Sequence, residues 1–102
     1  MLFDLSIYRV KGDSMSPYIP NNSFVITKPL TNMKKNKLLI FDHKVYGKLI
    51  KSLINVDSSN FFWFKGNSSK SISMQDIGPI KKEQIIGEII FSISKSSIKF
   101  HL

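Results

Sequence analysis

Leu49-Ile50-Lys51-Ser52-Leu53-Ile54 is the stretch on which the fold of this chain turns. Leucine and isoleucine interrupted by single polar residues fit the two-residue period of an extended strand, not the 3.6-residue period of a helix. Alternation puts Leu49, Lys51 and Leu53 on one face and Ile50, Ser52 and Ile54 on the other, and neither face is plainly a solvent face. Lys51 therefore has apolar neighbours on its own side. An ammonium in such surroundings loses hydration, its pKa falls, and it becomes available near pH 7 as a neutral amine. A lysine that stretches along the strand edge and keeps its charge in water fits the same six residues.

The same period recurs on both sides of this strand. Apolar and β-branched runs at 5–10, 23–27, 38–41, 46–54, 61–64 and 86–94, with a shorter one at 97–100, are separated by clusters of Asn, Asp, Gly, Pro and Ser. No segment has the pattern of a long amphipathic helix, and 68–79 is the longest irregular stretch. The expected fold class is mainly β, a small antiparallel sheet domain with little helix. The whole chain, 1–102, is expected to be one domain, with 95–102 an edge strand or a tail. The aromatic run Phe61-Phe62-Trp63-Phe64 reads as a strand with one face in the core.

Composition narrows the function classes. A chain of 102 residues that is 42% hydrophobic can bury one modest core. No apolar run approaches the roughly 18 residues of a membrane helix, and no basic segment followed by an apolar core marks a secretory leader. The expectation is a soluble cytoplasmic protein. With no cysteine there is neither disulfide nor thiolate metal site. The net charge of +8 suits a phosphate backbone, yet all but one of the 15 basic residues are lysine, and only Arg9 offers a bidentate fork. Apart from Lys34-Lys35-Lys37 and Lys81-Lys82 these lysines are scattered, which reads as a solvated surface and not as a nucleic-acid interface. Asp4, Asp42, Asp57, Asp76, Glu83 and Glu88 show no spacing suited to metal binding or paired acid–base work, so no metal and no cofactor is expected.

A candidate nucleophile lies in Gly12-Asp13-Ser14-Met15-Ser16-Pro17, a turn directly after the alternating run at 5–10. Ser14 needs a base. Of the two histidines, His43 sits in the polar triplet Asp42-His43-Lys44 and reads as a hairpin-turn residue, and His101 is penultimate in the sequence. Lys51 remains: unprotonated, it would take the Ser14 proton as the hydroxyl attacks a peptide carbonyl and return it to the leaving amine.

These residues carry a family resemblance. The box at 12–17, followed by Ile19-Pro20-Asn21-Asn22-Ser23-Phe24-Val25-Ile26, resembles the nucleophile box of type I signal peptidases and of LexA-type self-cleaving repressors. Lys37-Leu38-Leu39-Ile40-Phe41 resembles the strand before the family's lysine, without the usual Gly-Asp ahead of it, and Lys51 follows Ser14 by 37 positions in a segment resembling the lysine box, with Ser52 where many members have arginine. Phe62-Trp63-Phe64-Lys65-Gly66-Asn67, then Ser71, Gly78-Pro79-Ile80 and Ile85-Ile86-Gly87, resembles the last block of signal peptidases, which LexA-type chains lack. The resemblance spans about residues 10–90.

It implies a coiled antiparallel sheet with Ser14 as nucleophile and Lys51 as base, supported by Asn67 and by Ser71, whose hydroxyl would hydrogen-bond the lysine amine. Substrate would lie extended between Lys11, Gly12 and Asp13 on one side and Lys48, Leu49 and Ile50 on the other, with Met15 lining the pocket for a small residue. The Ser14 N–H would be one oxyanion donor; Gly12 stands where the family often has a second, a hydroxyl. Ser73-Met74-Gln75 replaces the family's Asp-Ser-Arg cluster. In length and layout the chain resembles the soluble maturation proteases of nickel-type superoxide dismutase, which implies a precursor with an N-terminal extension as partner and no membrane anchor. Two other readings remain: a catalytically silent β module of the same ancestry that binds a peptide or an anion, and a self-cleaving regulator.

Overall fold

Leu38-Leu39-Ile40-Phe41 shows in four residues how the chain is organised, because all four side chains are buried although they point alternately to opposite faces. Leu38 and Ile40 join a core with Val10, Ile19, Val25 and Ile89, while Leu39 and Phe41 join a second core with Leu53, Phe62, Phe64, Ile77 and Ile80. The structure, a computed structural model, describes residues 4–11, 19–65, 73–95 and 97–101. Those residues form β1 (Ser6–Arg9), β2 (Phe24–Lys28), β3 (Leu38–His43), β4 (Gly47–Val56), β5 (Phe62–Lys65), the short helix α1 (Met74–Ile77), a single 3-10 turn (Lys82–Gln84), β6 (Ile85–Ile93) and β7 (Ile98–Phe100).

The strands make one seven-stranded sheet in the order β1-β2-β6-β3-β4-β5, with β7 added to β6 and every pairing antiparallel. This is the mainly β, antiparallel fold with little helix that the sequence predicts. Strand ends fall within two residues of the predicted runs. β3 is longer than predicted because Asp42 and His43 still pair with Lys48 and Gly47 across the hairpin. In the segment expected to be irregular, α1 forms because the Ser73 hydroxyl accepts the N–H of Asp76 (3.1 Å) and Ile77 is buried in the second core. In the aromatic strand, Phe64 stacks on Phe41 at 4.3 Å, whereas half-buried Trp63 donates to Asp57 at 2.9 Å.

Three register shifts bend the sheet: Ile26/Thr27 between β2 and β6, Ile40/Phe41 between β3 and β6, and Leu53/Asn55 between β4 and β5. Gly87 lies on β6 between the two shifts that involve this strand, opposite Ile40 and beside Lys28, and a Cβ there would stand 2.6 Å from the Lys28 carbonyl oxygen. Next to it, the buried Glu88 carboxylate gathers Lys37 (2.6 Å), Lys28 (3.3 Å) and the Thr31 hydroxyl (3.1 Å), tying the connection between β2 and β3 to the sheet. Burial alone would raise the Glu88 pKa, but the Lys37 hydrogen bond and charge, the Thr31 N–H and Lys28 together outweigh it, and the net shift is downward. The outer face of β1, β2, β6 and β7 is apolar: register brings Ile7, Phe24, Ile26, Phe91, Ile93, Ile98 and Phe100 together, and Ile7, Phe24, Ile98 and Phe100 are exposed.

Gly87→Ala is expected to lose about 1–3 kcal/mol in urea denaturation, the usual cost of overpacking where the obstructing atom is backbone. Glu88→Gln, which leaves Lys37 without its anion, is expected to lose about 1–3 kcal/mol at pH 7. With a folded-state pKa below the ordinary 4.5, the cluster's stability is complete above that value and disappears as pH falls through the folded pKa. The variant's acid-unfolding curve should be correspondingly flatter.

Candidate active site

Beyond Arg9 the β1–β2 pair continues through two backbone bonds, Val10 N–H to Ser23 O and Asn22 N–H to Val10 O, both 2.8 Å. The return is made by Asn22, whose φ of 70° is in the left-handed region that Asn tolerates. Lys11, which leads into the box at 12–17, is thereby carried on an anchored strand. On the other side, the β3–β4 hairpin is closed by His43, whose Nε2 donates to Ile77 O (2.8 Å) while Nδ1 accepts from the N–H groups of Val45 (3.0 Å) and Tyr46 (3.2 Å). Both ring nitrogens are committed to structure, as the hairpin-turn reading of His43 requires. His101 bonds the Ser92 hydroxyl at 2.9 Å between β6 and β7, and its pKa is lowered by burial and by the charge of Lys99.

Although β1 and β4 are separated by three strands in the sheet order, they line one groove of about 220 Å³. Tyr8, Arg9, Val10 and Lys11 form one wall, Lys48, Leu49 and Ile50 the other, and Ile40 of β3 lies between. Coiling of the bulged sheet accounts for this approach. The groove thus unites four residues assigned from sequence, Lys11, Lys48, Leu49 and Ile50, with four that were not, Tyr8, Arg9, Val10 and Ile40. A signal for Ile40 existed in hindsight, since it is the direct cross-strand partner of Ile50. Gly12, Asp13, Ser14, Met15, Asn67 and Ser71 lie outside the described residues.

Lys51 is the next residue of β4 after the groove wall. Its side chain is 0% exposed, so it does not reach water along the strand edge. Leu39 is its cross-strand partner, and Leu49 and Leu53 flank it on the same face. Its Nζ has no hydrogen-bond partner among the described residues. Holding a charge there would cost several kcal/mol, whereas releasing the proton removes most of that cost. Burial accordingly lowers the Lys51 pKa from its usual 10.5. Lys51 shares its face with Leu39, Leu49 and Leu53 of the second core, whereas the neighbouring Ile50 faces the groove. Among the described residues no cluster of three or more His, Asp or Glu side chains could hold a metal ion, and no helix is long and apolar enough to cross a membrane.

A family model described as Peptidase S24-like matches residues 3–90, which includes both groove walls and Lys51. No curated protein and no solved structure gives a significant match to the chain.

The unfolded chain keeps Lys51 protonated up to its ordinary pKa, while the folded chain releases that proton at lower pH. Between the two values the unfolded state binds more protons, so stability rises with pH across that window. Lys51→Met should remove this rise and leave the protein more stable at pH 7 than the parent, read as urea midpoints between pH 6 and pH 10.

Proposed function

The chain belongs to the peptidase S24-like family, a family of Ser–Lys serine peptidases, and from that premise we propose that it is an endopeptidase with Ser14 as nucleophile and Lys51 as general base. The observation that carries the assignment is the buried Lys51 amine, without a hydrogen-bond partner among the described residues, one residue beyond the groove wall. Substrate adds as an extended strand between residues 8–11 and 48–50, bonding through its main chain. The neutral Lys51 amine takes the Ser14 Oγ proton as that oxygen bonds to the scissile carbonyl carbon. The resulting ammonium then protonates the leaving amine as the C–N bond breaks. Water, activated by the same amine, hydrolyses the acyl-enzyme. The Ser14 N–H faces the developing oxyanion, Asn67 and Ser71 support the lysine, and Met15 shapes the pocket with Gly12 and Asp13.

The biological reaction in this reading is removal of a short N-terminal leader from a partner protein in the cytoplasm. The layout shared with maturation proteases of nickel-type superoxide dismutase makes such a precursor the first substrate to try.

Ser14→Ala and Lys51→Ala should each reduce cleavage of a leader-bearing precursor about 10³-fold or more while circular dichroism is unchanged. Cleavage by either variant at the parental rate eliminates the dyad. For the parent, kcat/KM should climb with pH and level off below pH 10.5, because the base must be unprotonated and its pKa is lowered. Salt-sensitive peptide binding without any cleavage would point instead to a silent module.

A further inference from the structure

We infer that the groove between β1 and β4 selects peptides bearing acidic side chains at alternate positions. The inference rests on the reading of this groove as the substrate cleft. Its inner surface is apolar: Tyr8, Val10, Ile40 and Ile50 all belong to or pack against the first core. Its exposed rim is cationic, with Lys11 on one wall and Lys48 on the other. Arg9 is the single arginine of the chain, and its guanidinium is held 5.7 Å from the centre of the Phe24 ring on the outer face of β1 and β2, so Lys11 and Lys48 are the cations left to face a ligand in the groove. Among the described residues the nearby carboxylate is Asp42, 3.8 Å from Lys48 with both groups largely exposed, a pair too wet and too long to neutralise the rim.

An extended peptide presents alternate side chains to opposite sides. Laid along this groove, one set meets Tyr8, Val10, Ile40 and Ile50 and must be small or apolar; the other set projects to the rim, where the exposed Lys11 and Lys48 stand. Aspartate or glutamate at those outward positions gains attraction from both walls, and lysine or arginine there is repelled. A concave site lined by one sign of charge also concentrates its field. Because the cations are solvent-exposed, each is worth little alone and the preference is screened by salt.

The test uses fluorescein-labelled decapeptides that alternate leucine or alanine with glutamate, glutamine or lysine. Binding to the full-length Ser14→Ala protein is followed by fluorescence anisotropy, and cleavage by the parent is followed by mass spectrometry. The glutamate peptide is expected to bind about tenfold more tightly than the glutamine peptide at low salt, with the lysine peptide weakest, and the order should collapse near 1 M salt. Lys11→Glu combined with Lys48→Glu should invert the order. Lys34→Glu combined with Lys35→Glu makes the same change in net charge away from the groove and should leave the order intact.

Equal binding of the three peptides, or equal effects of the two double reversals, overturns the inference by assigning any preference to the overall charge of +8. The underlying reading fails separately. Acid-selective binding that Lys11 and Lys48 control, with no peptide cut by the parent, keeps the selectivity and removes the peptidase. Cleavage without charge bias does the reverse.

Discussion

A lysine amine removed from water and given no anion among the described residues is the constraint on which the proposed chemistry depends. Charged, it would destabilise β4 by several kcal/mol; neutral, it packs beside Leu49 and Leu53 much as an aliphatic chain does. Folding therefore favours release of the Lys51 proton. The burial that lowers the Lys51 pKa comes from the side of the second core, where Leu39, Phe41, Phe62 and Phe64 pack over one face of the sheet. The fold holds this amine away from water, and the same burial that lowers the pKa also keeps the side chain in place.

The second requirement is that two distant strands meet. A flat sheet would hold β1 and β4 four strand spacings apart, roughly 19 Å at the usual separation. Register shifts on both sides of β6, with Gly87 admitting the Lys28 carbonyl between them, bend the sheet so that the strand leading to the serine box and the strand carrying the lysine share one groove. The Glu88 cluster holds the connection between β2 and β3 over this bend. Structural devices near the middle of the sheet thus decide the width of a cleft at its edge.

Much of the architecture was legible in the sequence because period-two alternation is a local property. The strands around Lys51, Phe41 and Ile89 stand where the apolar runs place them. α1 was not legible: four residues are too few to show a helical period, and this helix depends on the Ser73 cap and on a place for Ile77 in the core. His43 was readable as a turn residue from its polar neighbours, but its bond to the Ile77 carbonyl joins segments 34 residues apart. Of the groove, the residues flanking the two motifs were found. Arg9 was noticed only as an exception among lysines, and nothing local places its guanidinium against the Phe24 ring.

By itself the sequence determined that the chain is a β protein, that one lysine lies inside an apolar strand, and that a serine box precedes it at an interval resembling Ser–Lys peptidases. Alternation states which residues share a face; it does not state what covers that face. Only the tertiary structure decided that both faces of β4 are buried, that the Lys51 amine meets neither water nor a partner among the described residues, and that β1 comes to face β4. Those outcomes depend on bulges, a close backbone approach and packing between residues far apart in the chain, and no short window of sequence contains such interactions.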